Sequence, residues 1–255
     1  MKEIVCKKFF LDGIPLTTYE VEDGNKKPVI YSFHGFDGYR DGDFYKREDV
    51  LARLGYFVVG FDSIMHGERR VPYFESKSYD EKMKDINQII IQTAQDAILL
   101  FDKYLQYYPQ VIKNEYYAMG FSMGGAITFY LASIDKRVKA IASIVGSPSL
   151  AAFYELKQQK YHWVKDETYQ QRLAYYELHD PLIHFDRLKD THIFMAGGAQ
   201  DDVVPYHYAQ SLHQVLPQNS VFKNYDTGHM SCQEAMQDAY DFLESVRKGV
   251  KNENI

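Results

Sequence analysis

Two hydrophobic rhythms take turns along this chain. Short runs of β-branched and aromatic residues alternate with longer stretches whose apolar positions return every third or fourth residue. The first two short runs, Ile4–Phe10 and Leu16–Val21, alternate in polarity and flank Asp12-Gly13, a dipeptide suited to the positive φ angles of a tight hairpin turn. Pro28–Phe33 and Tyr56–Phe61 have almost no polar face, as expected of strands covered on both sides, and residues 44–54 between them read as a helix. A long helix then opens at Ser78, with Glu81 at the capping-box spacing. Its stripe of Met83, Ile86, Ile90, Ala94, Ala97, Phe101, Leu105 and Tyr108 predicts one buried face.

Further strands are predicted at Tyr116–Met119, Val138–Val145, Ile193–Ala196 and Val221–Tyr225, with helices running to about Ser133 and from about Ser231 to Val246. Strands alternating with helices imply right-handed βαβ units. The expected class is therefore α/β: a mostly parallel eight-stranded sheet with helices on both faces and an antiparallel hairpin at its edge. Ser149–Asp186 is too long for one crossover helix and is rich in Gln, Tyr and His. It is expected to be a small helical lid over the sheet, dividing the chain into a core of residues 1–148 and 187–255 and an insertion of 149–186. The polar tail Lys248–Ile255 is expected to fray.

Composition narrows the function. With 255 residues, 45% apolar and 25% charged, the chain suits one core and excludes bulk disorder. A net charge of −6 provides no basic footprint for phosphate backbones, so nucleic acid is not an expected partner. No run approaches a membrane span, and lysines interrupt the opening MKEIVCKKFF where a secretory signal would be apolar. Cys6 and Cys232 lie at opposite ends and are expected to be reduced. The expected location is the cytoplasm, without membrane association.

Chemistry in α/β folds gathers beyond the carboxyl ends of the strands. There Gly120-Phe121-Ser122-Met123-Gly124 stands between a strand and a helix. A serine on so tight a turn takes a strained backbone conformation, and side chains two residues either side would collide with it. The glycines remove those collisions, and the helix N-terminus favours negative charge near Ser122. Two later strands are followed by Gly197-Gly198-Ala199-Gln200-Asp201-Asp202 and by Asp226-Thr227-Gly228-His229. The order is Ser, acid, His, with His229 as base and either Asp201 or Asp202 as the carboxylate that sets its tautomer. One oxyanion donor is the backbone N–H of Met123, the residue after the nucleophile.

With His34-Gly35-Phe36, Gly120–Gly125, Gly198-Ala199-Gln200-Asp201…Val204-Pro205 and Gly228-His229, the chain resembles the α/β-hydrolase superfamily over nearly its whole length. Asp62 with His66-Gly67-Glu68-Arg69 is similar to a segment of small bacterial serine esterases in the dienelactone-hydrolase and prolyl-oligopeptidase-like branch. The resemblance implies an α/β-hydrolase fold, selects Asp201 over Asp202, and makes the Phe36 N–H the second oxyanion donor. His34-Gly35-Phe36-Asp37-Gly38 departs from the HGGG run of many lipases. His34 is read as shaping that loop, His66 as bonding loop backbone, and Glu68, Arg69 and Arg70 as an anchoring cluster.

The implied activity is a serine carboxylesterase on short or medium acyl esters, working through an acyl-enzyme with no cofactor and no metal. A short-peptide peptidase, a thioesterase, a lactone hydrolase and a non-catalytic ligand binder are the rival readings. Aromatics in 149–186, Phe153 and Trp163 among them, are expected to wall an apolar substrate pocket. The expected partner is a small-molecule ester, and the chain is expected to be a monomer or homodimer.

Overall fold

In the computed structural model, which describes residues 3–42, 46–230 and 232–249, the opening hairpin pairs β1 (Ile4–Leu11) with β2 (Ile14–Val21). Asp12 and Gly13 turn the corner with φ of 48° and 75°, the primed-turn geometry that matches strand twist. The chain continues through β3 (Lys27–Phe33), α1 (Arg47–Arg53), β4 (Phe57–Phe61), a short α2 (Pro72–Glu75), α3 (Tyr79–Met83) and α4 (Ile86–Lys103). Then come β5 (Val111–Phe121), α5 (Met123–Ile134), β6 (Val138–Ile144), α6 (Leu150–Tyr161), α7 (Glu167–Leu178), β7 (His192–Gly198), α8 (His207–Val215), β8 (Ser220–Tyr225) and α9 (Gln233–Lys248).

These strands form one eight-stranded sheet in the order β1-β2-β4-β3-β5-β6-β7-β8. Only β2 runs against its neighbours; β4, β3, β5, β6, β7 and β8 are parallel. Alternate residues of each central strand serve two cores. Val29, Tyr31 and Phe33 pack with Phe61 under α4 and α5, whereas Ile30, Val58 and Phe194 pack under α1 and α9. That is why these runs lack a polar face, and the result is an α/β-hydrolase fold.

The long helix expected from Ser78 is two helices. Ser78 and Glu81 do form the capping box, at the head of α3. The chain then breaks before Ile86, where Arg172 of α7 donates to the Lys84 carbonyl at 2.7 Å and to Asp85 at 3.1 Å. A guanidinium from a distant helix thus takes a carbonyl that the helix would otherwise use. The apolar stripe still runs across the break, buried from Met83 to Leu105. The short α2 was not read from the sequence, and α8 was not delimited. The expected helix over 44–54 begins at Arg47; its first two residues, like Ser231 and 250–255 of the expected frayed tail, lie outside the described residues.

Between β6 and β7, α6 and α7 lie on the α4–α5 side of the sheet. Ser149 caps α6 by accepting from the Ala152 N–H at 3.1 Å, and buried Asp180 accepts from both the Ser149 hydroxyl and the Ala151 N–H. Asn87 of α4 donates to the Leu150 carbonyl at 2.8 Å, tying α6 to the body. Cys6 and Cys232 are free thiols. Among the described residues, no helix is long and apolar enough to cross a membrane.

Candidate active site

At the carboxyl edge of the sheet, β5 ends at Phe121 and α5 begins at Met123, leaving Ser122 alone in the turn with φ 55° and ψ −115°. A non-glycine residue there is strained by roughly 1–3 kcal/mol, and the turn is held by the Ser122 N–H bonded to the Ile144 carbonyl at 2.8 Å. Neither flanking glycine tolerates a side chain. A Cβ on Gly120 would stand 2.1 Å from the Gly124 carbonyl oxygen, and one on Gly124 would stand 2.3 Å from that of Phe33.

The loop after β8 brings His229 across to this serine. Its Nε2 lies 2.7 Å from Ser122 Oγ, and its Nδ1 lies 2.8 Å from Asp201 Oδ2. The carboxylate requires a proton on Nδ1, which leaves the Nε2 lone pair to accept from the serine hydroxyl. Asp201 Oδ1 accepts the N–H groups of Val203 at 2.8 Å and Val204 at 2.9 Å. Burial by itself would raise the Asp201 pKa, but the His229 bond and those two N–H groups outweigh it and hold the carboxyl below its ordinary value. Asp202 is exposed, and Asp226 accepts instead from the Gln200 amide. The geometry therefore brings together Ser122, His229 and Asp201, and leaves Asp202 outside.

The serine and histidine border a cavity of ≈ 210 Å³ walled largely by Phe36, Met83, Ile90, Leu150, Phe153 and Val204. Phe36 and Met123 both line it, and Met123, as first residue of α5, has no carbonyl a turn earlier in the helix to occupy its N–H. Phe153 stands in the wall as expected. Trp163 does not. After the left-handed residue His162 the chain folds back, and the indole packs on Tyr161 and Tyr154 with ring centres 5.8 and 5.4 Å away. There it is part of the core between α6 and α7 rather than of the pocket.

The remaining motif residues brace the loops around the cavity. His34 Nδ1 donates to the Gly35 carbonyl at 2.8 Å, and Nε2 accepts the Ser63 N–H at 3.0 Å. Burial pushes this imidazole down to about 4, so it is neutral and joins two loops. Fully buried Asp62 accepts from the Arg40 backbone, the Arg40 guanidinium and the Glu68 N–H. Glu68 also pairs with Arg40, and Arg69 pairs with Asp96 at 2.7 Å. His66 donates to the Ile64 carbonyl at 3.0 Å and meets the Phe36 ring edge-on.

Sequence reasoning passed over Arg40 and Lys157. The first had no signal of its own, since the burial of Asp62 that demands a cation is seen only in the fold. The second had one: Lys157 lies four residues after Phe153, and that spacing sets both on one helix face.

A protein-family model described as "Dienelactone hydrolase family" matches residues 16–229. The chain belongs to that family. At family level it is a hydrolase of the esterase type. The chain is 24% identical over 217 residues to the Bacillus subtilis (strain 168) protein named "Putative esterase YitV", covering 81% of this chain and 82% of that protein. Among solved structures it superposes on TT1662 from Thermus thermophilus with TM-score 0.76 and 16% identity, over 96% of this chain and 98% of the other. It also matches an acetyl xylan esterase from Paenibacillus sp. R4 with TM-score 0.71 and 16% identity, over 96% and 89%. An acylaminoacyl peptidase from Pyrococcus horikoshii matches with TM-score 0.71 and 18% identity, over 99% of this chain but 42% of the peptidase. These structural likenesses show a shared fold.

Proposed function

We propose that this protein is a serine carboxylesterase acting on short or medium acyl esters through Ser122, His229 and Asp201. One observation carries the reading: the Asp201–His229–Ser122 chain of short hydrogen bonds ends at a small apolar cavity. At ≈ 210 Å³ the cavity is below the ~300 Å³ at which pockets for drug-sized ligands begin, which favours small acyl groups. The esterase names of similar proteins support the same reading.

In this mechanism Ser122 Oγ attacks the ester carbonyl while His229 Nε2 takes its proton. The carbonyl oxygen, now negative, faces the N–H groups of Phe36 and Met123, which need no reorganisation to receive it. Collapse expels the alcohol, to which His229 returns the proton. Water then attacks the acyl-enzyme with the same histidine as base, releasing the acid and restoring Ser122. Asp201 stays ionised throughout and keeps Nδ1 protonated. Residues 149–186 act as a helical cap, since α6 supplies Leu150, Phe153 and Lys157 to the cavity wall.

The test is a panel of p-nitrophenyl esters from acetyl to palmitoyl, a thioester and a peptide amide, with a fluorophosphonate label on wild type and Ser122→Ala. Hydrolysis of short esters, lost by several orders of magnitude in Ser122→Ala along with labelling, is the expected result. Activity retained by Ser122→Ala, or a preference for the amide, overturns it.

A further inference from the structure

One buried charge beside the triad has no counter-charge in contact with it. Lys157, on α6, is only 2% exposed. Its Nζ donates to the Val203 carbonyl at 2.9 Å and lies 4.4 Å from the centre of the Phe153 ring. Among the described residues no carboxylate bonds to it, and Asp201 and Asp202 act on it only through space. A buried cation in that position is costly to maintain. The group that it holds gives the reason for its place. The Val203 carbonyl and the Val204 N–H are the two ends of one peptide group, which is trans, so they point in opposite directions. The N–H end donates to Asp201 Oδ1 at 2.9 Å. The negative end of this peptide dipole thus rests on the Lys157 ammonium, and its positive end on the carboxylate of the triad.

We propose that Lys157 is a positioning residue for Asp201, acting from the cap through the peptide group between Val203 and Val204. This rests on the esterase reading above and adds the residue that keeps its acid aimed. A charge-assisted bond at the carbonyl end fixes the plane of the peptide and polarises it, which strengthens the bond from its N–H to Oδ1. With Oδ1 pinned, Oδ2 stays 2.8 Å from His229 Nδ1, and His229 Nε2 stays 2.7 Å from Ser122 Oγ. An unbroken run of hydrogen bonds therefore ties a helix of the cap to the nucleophile. The Val203 N–H, which also donates to Oδ1, belongs to the preceding peptide group and does not depend on Lys157. Loss of the lysine therefore loosens the acid without releasing it. The charged and titratable groups around Nζ are Lys160 on the same helix and Asp201 and Asp202 on the loop after β7, with His229, Asp37 and Tyr79 elsewhere in the cavity wall. Burial, then Lys160, lower the Lys157 pKa to about 8 against the opposing pull of the two aspartates. At higher pH the amine is neutral and polarises the peptide less.

The experiment is steady-state hydrolysis of p-nitrophenyl acetate at pH 7 by wild type, Lys157→Met, Lys157→Arg, Asp201→Asn and the double variant Lys157→Met/Asp201→Asn. Lys157→Met should lower kcat by about 10- to 100-fold, the cost of a slightly misaimed catalytic group. KM should stay within about threefold, because acylation and deacylation use the same histidine. Lys157→Arg keeps both charge and donor and should recover most of kcat. In the Asp201→Asn background, Lys157→Met should cost no more than about twofold further, since residues that act as one unit are not additive. A lysine that only held the cap in place would cost as much in either background. In a pH-stat with ethyl acetate, kcat of the wild type should fall above about pH 8 and that of Lys157→Arg should stay level. This comparison does not depend on Lys157→Met folding. An unchanged kcat in Lys157→Met, a loss confined to KM, additive losses in the double variant, or a wild-type kcat that stays level through pH 8 overturns the role of Lys157 and leaves the esterase reading standing. A wild type that hydrolyses no ester and takes no fluorophosphonate label on Ser122 overturns both.

Discussion

Replacing Asp201 by asparagine changes one atom, and the surroundings decide which one. The two N–H donors of Val203 and Val204 converge on Oδ1 at 2.8 and 2.9 Å, so the amide oxygen of an asparagine must remain there. Its NH2 group is then forced into the Oδ2 position, 2.8 Å from His229 Nδ1. A donor facing Nδ1 holds the neutral imidazole in the other tautomer, with its proton on Nε2. That nitrogen can no longer accept from Ser122 Oγ, 2.7 Å away. Loss of the tautomer with geometry intact costs about 10⁴-fold in kcat, equivalent to about 5.5 kcal/mol of transition-state stabilisation. Asp202→Asn, at an exposed position, should stay within about threefold of wild type. The assay is steady-state hydrolysis of a p-nitrophenyl ester by both variants, with circular dichroism to establish folding. An Asp201→Asn enzyme within tenfold of wild type, or a worse loss in Asp202→Asn, would refute the argument.

Acid should weaken the fold through His34. Its folded pKa of about 4 lies below the ordinary histidine value near 6.5, so the unfolded chain takes up the proton first as pH falls. The resulting stability is complete above about pH 6.5 and is lost toward pH 4, by at most about 3 kcal/mol. Urea midpoints from pH 7.5 to 4.5 should fall less steeply in His34→Gln, and parallel slopes would contradict the assignment. Trp163→Ala should cost about 3–5 kcal/mol of stability as a large core truncation, yet leave the acyl-length optimum where it was. Phe153→Ala should move that optimum toward longer chains, and the same series of p-nitrophenyl esters reads both variants.

Local features of the sequence determined most of this architecture. The β-branched runs are buried on both faces in the structure, and Asp12-Gly13 turns as its backbone freedom requires. The glycines around Ser122 foretell the strained turn because steric exclusion there depends on a few adjacent residues. Contacts between distant segments were decided only by the tertiary structure. Arg172 divides the expected long helix from α7, and no periodicity in residues 78–105 encodes that capture. The family spacing had already selected Asp201 over Asp202; the two backbone N–H groups that hold Asp201 and the direction from which His229 arrives came only with the tertiary structure. Phe153 and Trp163 are alike as hydrophobes, yet one walls the cavity and the other fills the space between two helices. Lys157, which sequence reasoning passed over, is buried only because α6 lies over the serine. Burial next to a reaction centre depends on how separate elements pack, and only folding brings those elements together.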